Sequence, residues 1–343
     1  MESGYVTLEQ VAAHAGVSLA TASRVINGST RQVSQRLRDK VNASARELGY
    51  LANASAQTLA RNSSSLVGLI VHDIADPYFS SIASGVTHHA EEQGLVMVLG
   101  TTGRSPQREQ RILATLRAHR ARAVVLVGSR STDEESNKRL ADEIRMFHRQ
   151  GGRVACVSQE GLPADTVTPD NHSGAGDLAR RLIAQGHREF AILAGPTDLS
   201  TARERLDGFH AALTAAGLDL AHHNVVHGDF TRDGGYESTR RLMAVGTDAT
   251  CLFAVNDVMA TGAMAALRDL GLRIPTDLSV AGFDDIPTLR DLTPALTTVR
   301  LPLEEMGERA ATLALDGEPT GSPRVVTVKG EVVERESTAP PTR

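Results

Sequence analysis

With 343 residues, 41% hydrophobic and 22% charged, the chain has material for two or three domains and the make-up of a globular protein. No stretch approaches the roughly 18 apolar residues that a membrane helix needs, which excludes a span. The opening MESGYVTLEQ lacks the basic and apolar segments of an export signal, so a cytoplasmic location is expected. The net charge of −5 is uneven: residues 1–62 hold seven Lys/Arg against four Asp/Glu, or +3, which leaves −8 for the rest. A basic head on an acidic body suits a phosphate-binding module joined to a sensing or oligomerising one.

The first fifty residues carry three short helical patterns. Thr7-Leu-Glu-Gln10 is a capping box that opens the first, with Leu8, Val11, Ala12 and Ala15 on one face and Gly16 as its stop. Ser18 caps a second helix that runs to Asn27. Ser34 caps a third, with Leu37, Val41 and Leu48 as its apolar stripe and Gly49 at its end. Three short helices with a glycine turn between the first two predict a helix-turn-helix. Residues 52–65 then read as a linker too polar to be helical unaided. Beyond it, apolar strand candidates start at Leu66, Leu95, Ala123, Val154, Phe190, Val225, Cys251, Leu278 and Leu296, with helical patterns between most of them. This alternation predicts an α/β body of two doubly wound parallel sheets with a ligand cleft between the lobes. The boundaries expected are a head at 1–51, a linker at 52–65 and a body at 66–343. Its first lobe would take about 66–168 and 298–322, and its second about 169–297 and 323–338. Cys156 and Cys251 sit inside apolar strands and read as buried thiols.

On the second helix, at 100° per residue, Leu19, Ser23, Asn27, Ala20 and Arg24 share one face and Ala22 and Val25 the other. The first face suits the major groove. Arg24 can bond guanine in bidentate fashion, Leu19 and Ala20 can meet thymine methyls, and Thr21, Ser23 and Thr7 suit phosphate oxygens. The run from Val6 to Asn27 and the segment Arg46-Glu-Leu-Gly-Tyr50 resemble the N-terminal signature of the lac/gal repressor family. The resemblance implies that Leu19, Ala20 and Arg24 dominate operator choice, with Ser18, Ser34 and Tyr50 in the same interface. It also implies that the segment with Asn53 folds into a hinge helix on DNA, with Leu59 as a minor-groove wedge.

The resemblance continues through Asp76-Pro77-Tyr78-Phe79, Gly186-His187-Arg188, Val255-Asn256-Asp257, Gly282-Phe283-Asp284-Asp285 and Thr293–Thr298. It implies a periplasmic-binding-protein-like body whose cleft is lined by Tyr78 and Phe79 from one lobe. Asp170, Thr201, Arg205, Phe230, Asn256 and Asp284 line it from the other. Arginine, asparagine and aspartate beside aromatic rings are suited to vicinal hydroxyls and a sugar's apolar face. Leu199 stands where purine-sensing members carry a polar group, and the chain has no tryptophan to stack on a ligand. A sugar or sugar derivative is therefore the expected effector.

Two other classes are weighed. Gly174-Ala-Gly-Asp-Leu-Ala179 formally matches a dinucleotide-binding fingerprint but follows no strong strand, and no catalytic motif accompanies it. A periplasmic-type sugar-binding protein would share the body but not the basic helical head. The expectation is a regulator without enzymatic activity, cofactor or metal, bound to a palindromic DNA operator as a homodimer. The ending Arg335–Arg343 carries no leucine heptads for further assembly.

Overall fold

The structure, a computed structural model, describes residues 6–27, 33–50, 64–317 and 321–342. The expected roles of Asn53 and Leu59 lie outside the described residues. Helix α1 (Leu8–His14) begins where the capping box predicts: the Thr7 hydroxyl accepts from Gln10 N at 3.3 Å, and the Gln10 carboxamide oxygen accepts from Thr7 N at 2.8 Å. Gly16 turns the chain with φ +59°, the left-handed conformation that favours glycine. Helix α2 (Leu19–Ile26) follows, its Ser18 hydroxyl accepting from Thr21 N at 3.2 Å. Helix α3 (Gln35–Glu47) starts after Ser34, whose side chain makes no capping bond. Val11, Ala12, Ala15, Ala22, Val41 and Ala45 form a small separate core, with Val25, Leu48 and Tyr50 packed on it. Leu37, expected on the apolar stripe, is 37% exposed because that core is filled from Val41 onward.

The body alternates strand and helix: β1 (Leu66–Val71), α4 (Pro77–Glu92), β2 (Val96–Thr101), α5 (Pro106–Ala118), β3 (Ala123–Val127), α6 (Glu134–Arg149), β4 (Arg153–Val157) and β5 (Asp165–Pro169). The second lobe holds α7 (Asn171–Ala184), β6 (Phe190–Leu193), α8 (Ser200–Ala215), β7 (Val225–Val226), α9 (Arg232–Val245), β8 (Cys251–Ala254), α10 (Asp257–Asp269) and β9 (Ser279–Ala281). The chain returns through β10 (Thr298–Arg300) to α11 (Leu303–Leu315), β11 (Val325–Val328) and β12 (Glu331–Val333). One parallel sheet has the order β11-β5-β4-β3-β1-β2 and the other β7-β6-β8-β9, with β10 and β12 forming a separate antiparallel pair. The buried apolar runs Val67–Val71, Ala123–Val127 and Cys251–Ala254 are what strands covered on both faces require. Both cysteines are buried and free.

Three strands differ from expectation. β5, β11 and β12 were not anticipated, because they are only five, four and three residues long. Val325–Val328 pairs with β5 in the first sheet rather than joining residues 323–338 in the second lobe. Arg324 explains the placement: its backbone N and guanidinium Nε reach the two carboxylate oxygens of Asp165 at 2.8 and 3.1 Å and set the register.

Candidate functional site

The head presents α2 as an open surface. Ser18, Leu19, Ala20 and Arg24 are exposed and Thr21, Ser23 and Asn27 half-buried, while Ala22 is fully buried. The polar groups of this face bond mainly to each other: Ser18 Oγ lies 2.9 Å from Thr21 Oγ1, and Asn27 Nδ2 donates to Ser23 Oγ at 3.1 Å. Leu19 keeps 46% of its surface exposed, which is costly for an isolated helix and sensible for one that meets an apolar partner. Thr7 and Ser34 are exposed at the starts of α1 and α3. Tyr50 is half-buried against the head's core, so its ring supports α3 more than it offers a free surface.

The second site lies between the lobes, at the carboxyl ends of the parallel strands, where open α/β sheets build clefts. The turns after β1, β2 and β3 supply His72, Asp76, Tyr78, Phe79, Arg104, Gly128 and Ser129. Facing them are Leu199, Thr201, Arg205, Phe230, Asn256 and Asp284. Arg205 is the anchor. Although only 2% exposed, its guanidinium uses all three nitrogens: Nε to Asn171 Oδ1 at 2.9 Å, Nη1 to Val255 O at 2.8 Å and Nη2 to Asp284 Oδ1 at 2.8 Å. The Phe283 ring lies under it, centroid 3.9 Å from Cζ. A buried cation so fully bonded is rigid and presents its fixed charge to the cleft.

Asp284 takes φ +122°, which a residue other than glycine rarely adopts and which costs about 1–3 kcal/mol. Bonds of its N to Val299 O at 2.8 Å and of Leu301 N to its O at 3.2 Å hold it there. Burial pushes its carboxyl up to about 6, opposed by the Arg205 charge. Behind it, burial and the Asp284 charge raise Asp257 to about 8, while Thr298 Oγ1 and Ile286 N donate to its two oxygens at 2.7 and 3.1 Å. Asn256 caps α10 with Oδ1 on Met259 N at 2.9 Å. From the first lobe, Tyr78 and Phe79 meet edge to face at 5.1 Å, and His72 meets Phe79 at 5.6 Å. Burial lowers His72 to about 4, which leaves it a neutral hydrogen-bonding group beside Thr102 Oγ1 at 3.0 Å.

The lobes touch directly. Arg104 Nη2 donates to Phe230 O at 2.8 Å across the cleft, Thr132 N to Asp198 O at 2.9 Å, Ser200 N to Arg130 O at 3.0 Å and Thr201 N to Ser129 Oγ at 3.0 Å. The innermost pocket, beside Arg205 and Asp284, has a free volume of about 30 Å³, room for about two waters, and a wider space of about 340 Å³ adjoins it at His72, Arg104, Ser129 and Leu199. A ligand larger than that must part the lobes to reach Arg205 and Asp284. Two glycines set how closely the rings approach: a Cβ on Gly195 (φ +68°) would stand 2.8 Å from Phe230, and one on Gly128 (φ +144°) 2.3 Å from His72.

Of the residues expected in the cleft, Tyr78, Phe79, Thr201, Arg205, Phe230, Asn256 and Asp284 converge. Asp170 does not. Its carboxylate accepts from Ser173 N at 3.1 Å and caps α7, while its neighbour Asn171 makes the bond to Arg205. His72, Arg104, Ser129 and Asn171 were missed. Arg104 and Ser129 carried a usable signal, since each closely follows a predicted strand's carboxyl end. The loop after β3 is further fixed by Arg130, whose guanidinium pairs in bidentate fashion with Glu109 at 2.9 and 3.0 Å in the interior. Among the described residues no cluster of His, Cys, Asp and Glu is arranged to hold a metal, and no helix is long and apolar enough to cross a membrane.

Comparison with known proteins agrees with this geometry. Residues 7–53 match the family model of bacterial regulatory proteins, lacI family, and residues 179–338 a periplasmic binding protein-like domain. The chain is 37% identical over 339 residues to the HTH-type transcriptional regulator CelR of Thermobifida fusca, covering 96% of this chain and 98% of that one. The structure of a CelR–cellobiose complex superposes with a TM-score of 0.70 at 34% identity, over 97% of this chain and 99% of that one. The lac repressor dimer bound to operator and the anti-inducer ONPF gives a TM-score of 0.82 at 27% identity, over 98% and 100% of the two chains. With a helix-turn-helix head, a two-lobed parallel α/β body and likeness along nearly its whole length, this chain belongs to the lacI family of bacterial regulatory proteins.

Proposed function

We propose that this protein is a transcriptional repressor that reads a palindromic operator as a dimer through α2 and changes its hold on DNA when a neutral saccharide enters the cleft. The observation that carries the effector assignment is the Arg205 anchor beside Tyr78, Phe79 and Phe230. The planar Arg205 cation, fixed by Asn171 and Asp284, offers donors, the Asp284 carboxylate and Asn256 carboxamide offer acceptors for vicinal hydroxyls, and the rings offer a surface for a sugar's C–H face. The charge balance favours a neutral ligand, because the cations Arg104 and Arg205 are met by Asp76 and Asp284. The cellobiose complex of CelR makes a glucoside of that kind the first to try.

Dimer formation is supported by β2, an edge strand with Val96, Val98 and Leu99 exposed at 58%, 39% and 39%. An apolar sheet edge of this length is what a protein covers with a second copy. In the mechanism, a saccharide separates Arg104 from Phe230 and the 129–132 strip from 198–201. It thereby favours one arrangement of the lobes, and with it one spacing of the two heads on DNA.

Calorimetric titration with cellobiose, galactose, ribose and nucleosides tests the effector class. A neutral saccharide is expected to bind, with affinity at least about tenfold weaker in Arg205→Lys, since a point charge cannot replace the planar fork. Binding of a nucleoside with no saccharide bound would overturn the assignment.

A further inference from the structure

Although the body is acidic overall, two stretches of its first lobe, Arg117–Arg122 and Arg145–Arg153, contain six arginines, two histidines and no acid. The fold brings them together. The first ends α5 and leads into β3; the second ends α6 and leads into β4. β3 and β4 pair in parallel with Ala123 opposite Arg153, so both stretches stand at the amino-terminal end of the sheet, away from the cleft. Arg117, Arg120, Arg122 and Arg149 line an open groove of about 580 Å³ beside Phe147. Arg117 is tied to Glu143 at 2.7 Å, whereas Arg122 and Arg149 are exposed with no ion pair among the described residues. A helix C-terminus favours a nearby cation, which accounts for Arg117 and Arg149. It does not account for Arg120 and Arg122, which lie beyond the helix.

The position of the groove identifies its partner. Ser64 donates from N and Oγ to the Arg120 carbonyl at 3.0 and 2.9 Å, and Arg122 N donates to Leu66 O at 2.8 Å, so the chain coming from the head enters the body on this patch. Residues 51–63 can span at most about 45 Å even when fully extended. A head seated on DNA therefore keeps the groove within that distance of the duplex. We propose that the arginine groove is a second, sequence-independent DNA contact that holds backbone phosphates flanking the operator. The inference rests on operator binding by the head. It adds affinity and salt sensitivity without adding base readout.

The test compares Arg122→Gln/Arg149→Gln with Arg240→Gln/Arg268→Gln, an equal charge change on α9 and α10 of the second lobe. Each full-length variant is titrated against two duplexes, one limited to the palindrome and one extended on both sides, over a range of salt. On the extended duplex the groove variant is expected to bind roughly tenfold or more weakly at low salt, with a log–log salt slope shallower by about 0.9 per lost phosphate. On the short duplex it should match the parent, with unchanged melting temperature and sugar affinity. An unchanged slope would overturn the proposal, as would equal slope changes in both variants, which would mean a long-range field. Loss of pyrophosphate binding with no change in slope would also overturn it and make the groove a small-anion site. Absence of sequence-specific binding by the parent on either duplex would instead overturn the reading of the head.

Discussion

The head and the cleft are built on opposite plans. On α2 the polar and apolar groups that would read DNA stand exposed or half-buried, the polar ones bonded to near neighbours in the chain, over a core of six small buried residues. In the cleft, Arg205 satisfies its donors on Asn171, Val255 and Asp284, which lie 34, 50 and 79 residues away, and almost nothing is exposed. An exposed reading surface can be altered without disturbing the fold, whereas a buried sensing site shares its bonds with the framework. Mutations should therefore separate function from stability in the head and fail to do so in the cleft.

The largest effect is expected from Arg205→Ala. It leaves Asp284 buried without its cation, costing roughly 3–5 kcal/mol and lowering the melting temperature by about 10 °C, with saccharide binding lost. Calorimetry checks both; retained stability would break the contrast. Next is Arg24→Ala, which should cost about 1–3 kcal/mol of base discrimination in each half-site while the melting temperature stays within about 1 °C of the parent. Competition binding against operators altered one base pair at a time measures it.

A smaller and graded effect comes from pH. Asp284 ionises at about 6 in the folded chain against its ordinary 3.8. Between these values only the folded state holds the proton. This group therefore favours folding at low pH, and its contribution declines as pH rises through about 6. Saccharide affinity should move the opposite way, falling up to about tenfold per unit below pH 6 as the carboxylate that accepts hydroxyls is protonated. Parallel pH series of stability and affinity should thus diverge. The smallest effect is Ser18→Ala, which removes the α2 cap and should cost the head about 1 kcal/mol, read by urea unfolding.

The two plans also governed what the sequence made legible. The helix starts at Thr7 and Ser18 and the exposed face of α2 follow from spacing within a dozen residues, and the structure has them there. The central strands were visible because covered strands are uniformly apolar. β5 and β11 were not, since Asp165 and Arg324 stabilise their pairing through a charge contact between residues 159 apart, and the three-residue β12 forms only by pairing with the distant β10. In the cleft, the family resemblance pointed to Arg205 and Asp284, which line the cavity, and to Asp170, which caps α7 while its neighbour Asn171 bonds Arg205. A helix cap and its neighbour look alike in sequence, and only the direction of each side chain tells the anchor from the cap. Arg104 was missed because its role exists only where the second lobe brings Phe230 O within 2.8 Å.

The central claim is that the two sites are coupled, and operator affinity measured with and without a saturating saccharide tests it most directly. Coupled sites should give at least about a fivefold change in operator affinity, mirrored by the same factor in saccharide affinity when operator is bound. Equal operator affinity with the cleft empty and full, in a protein that binds both ligands, would contradict it.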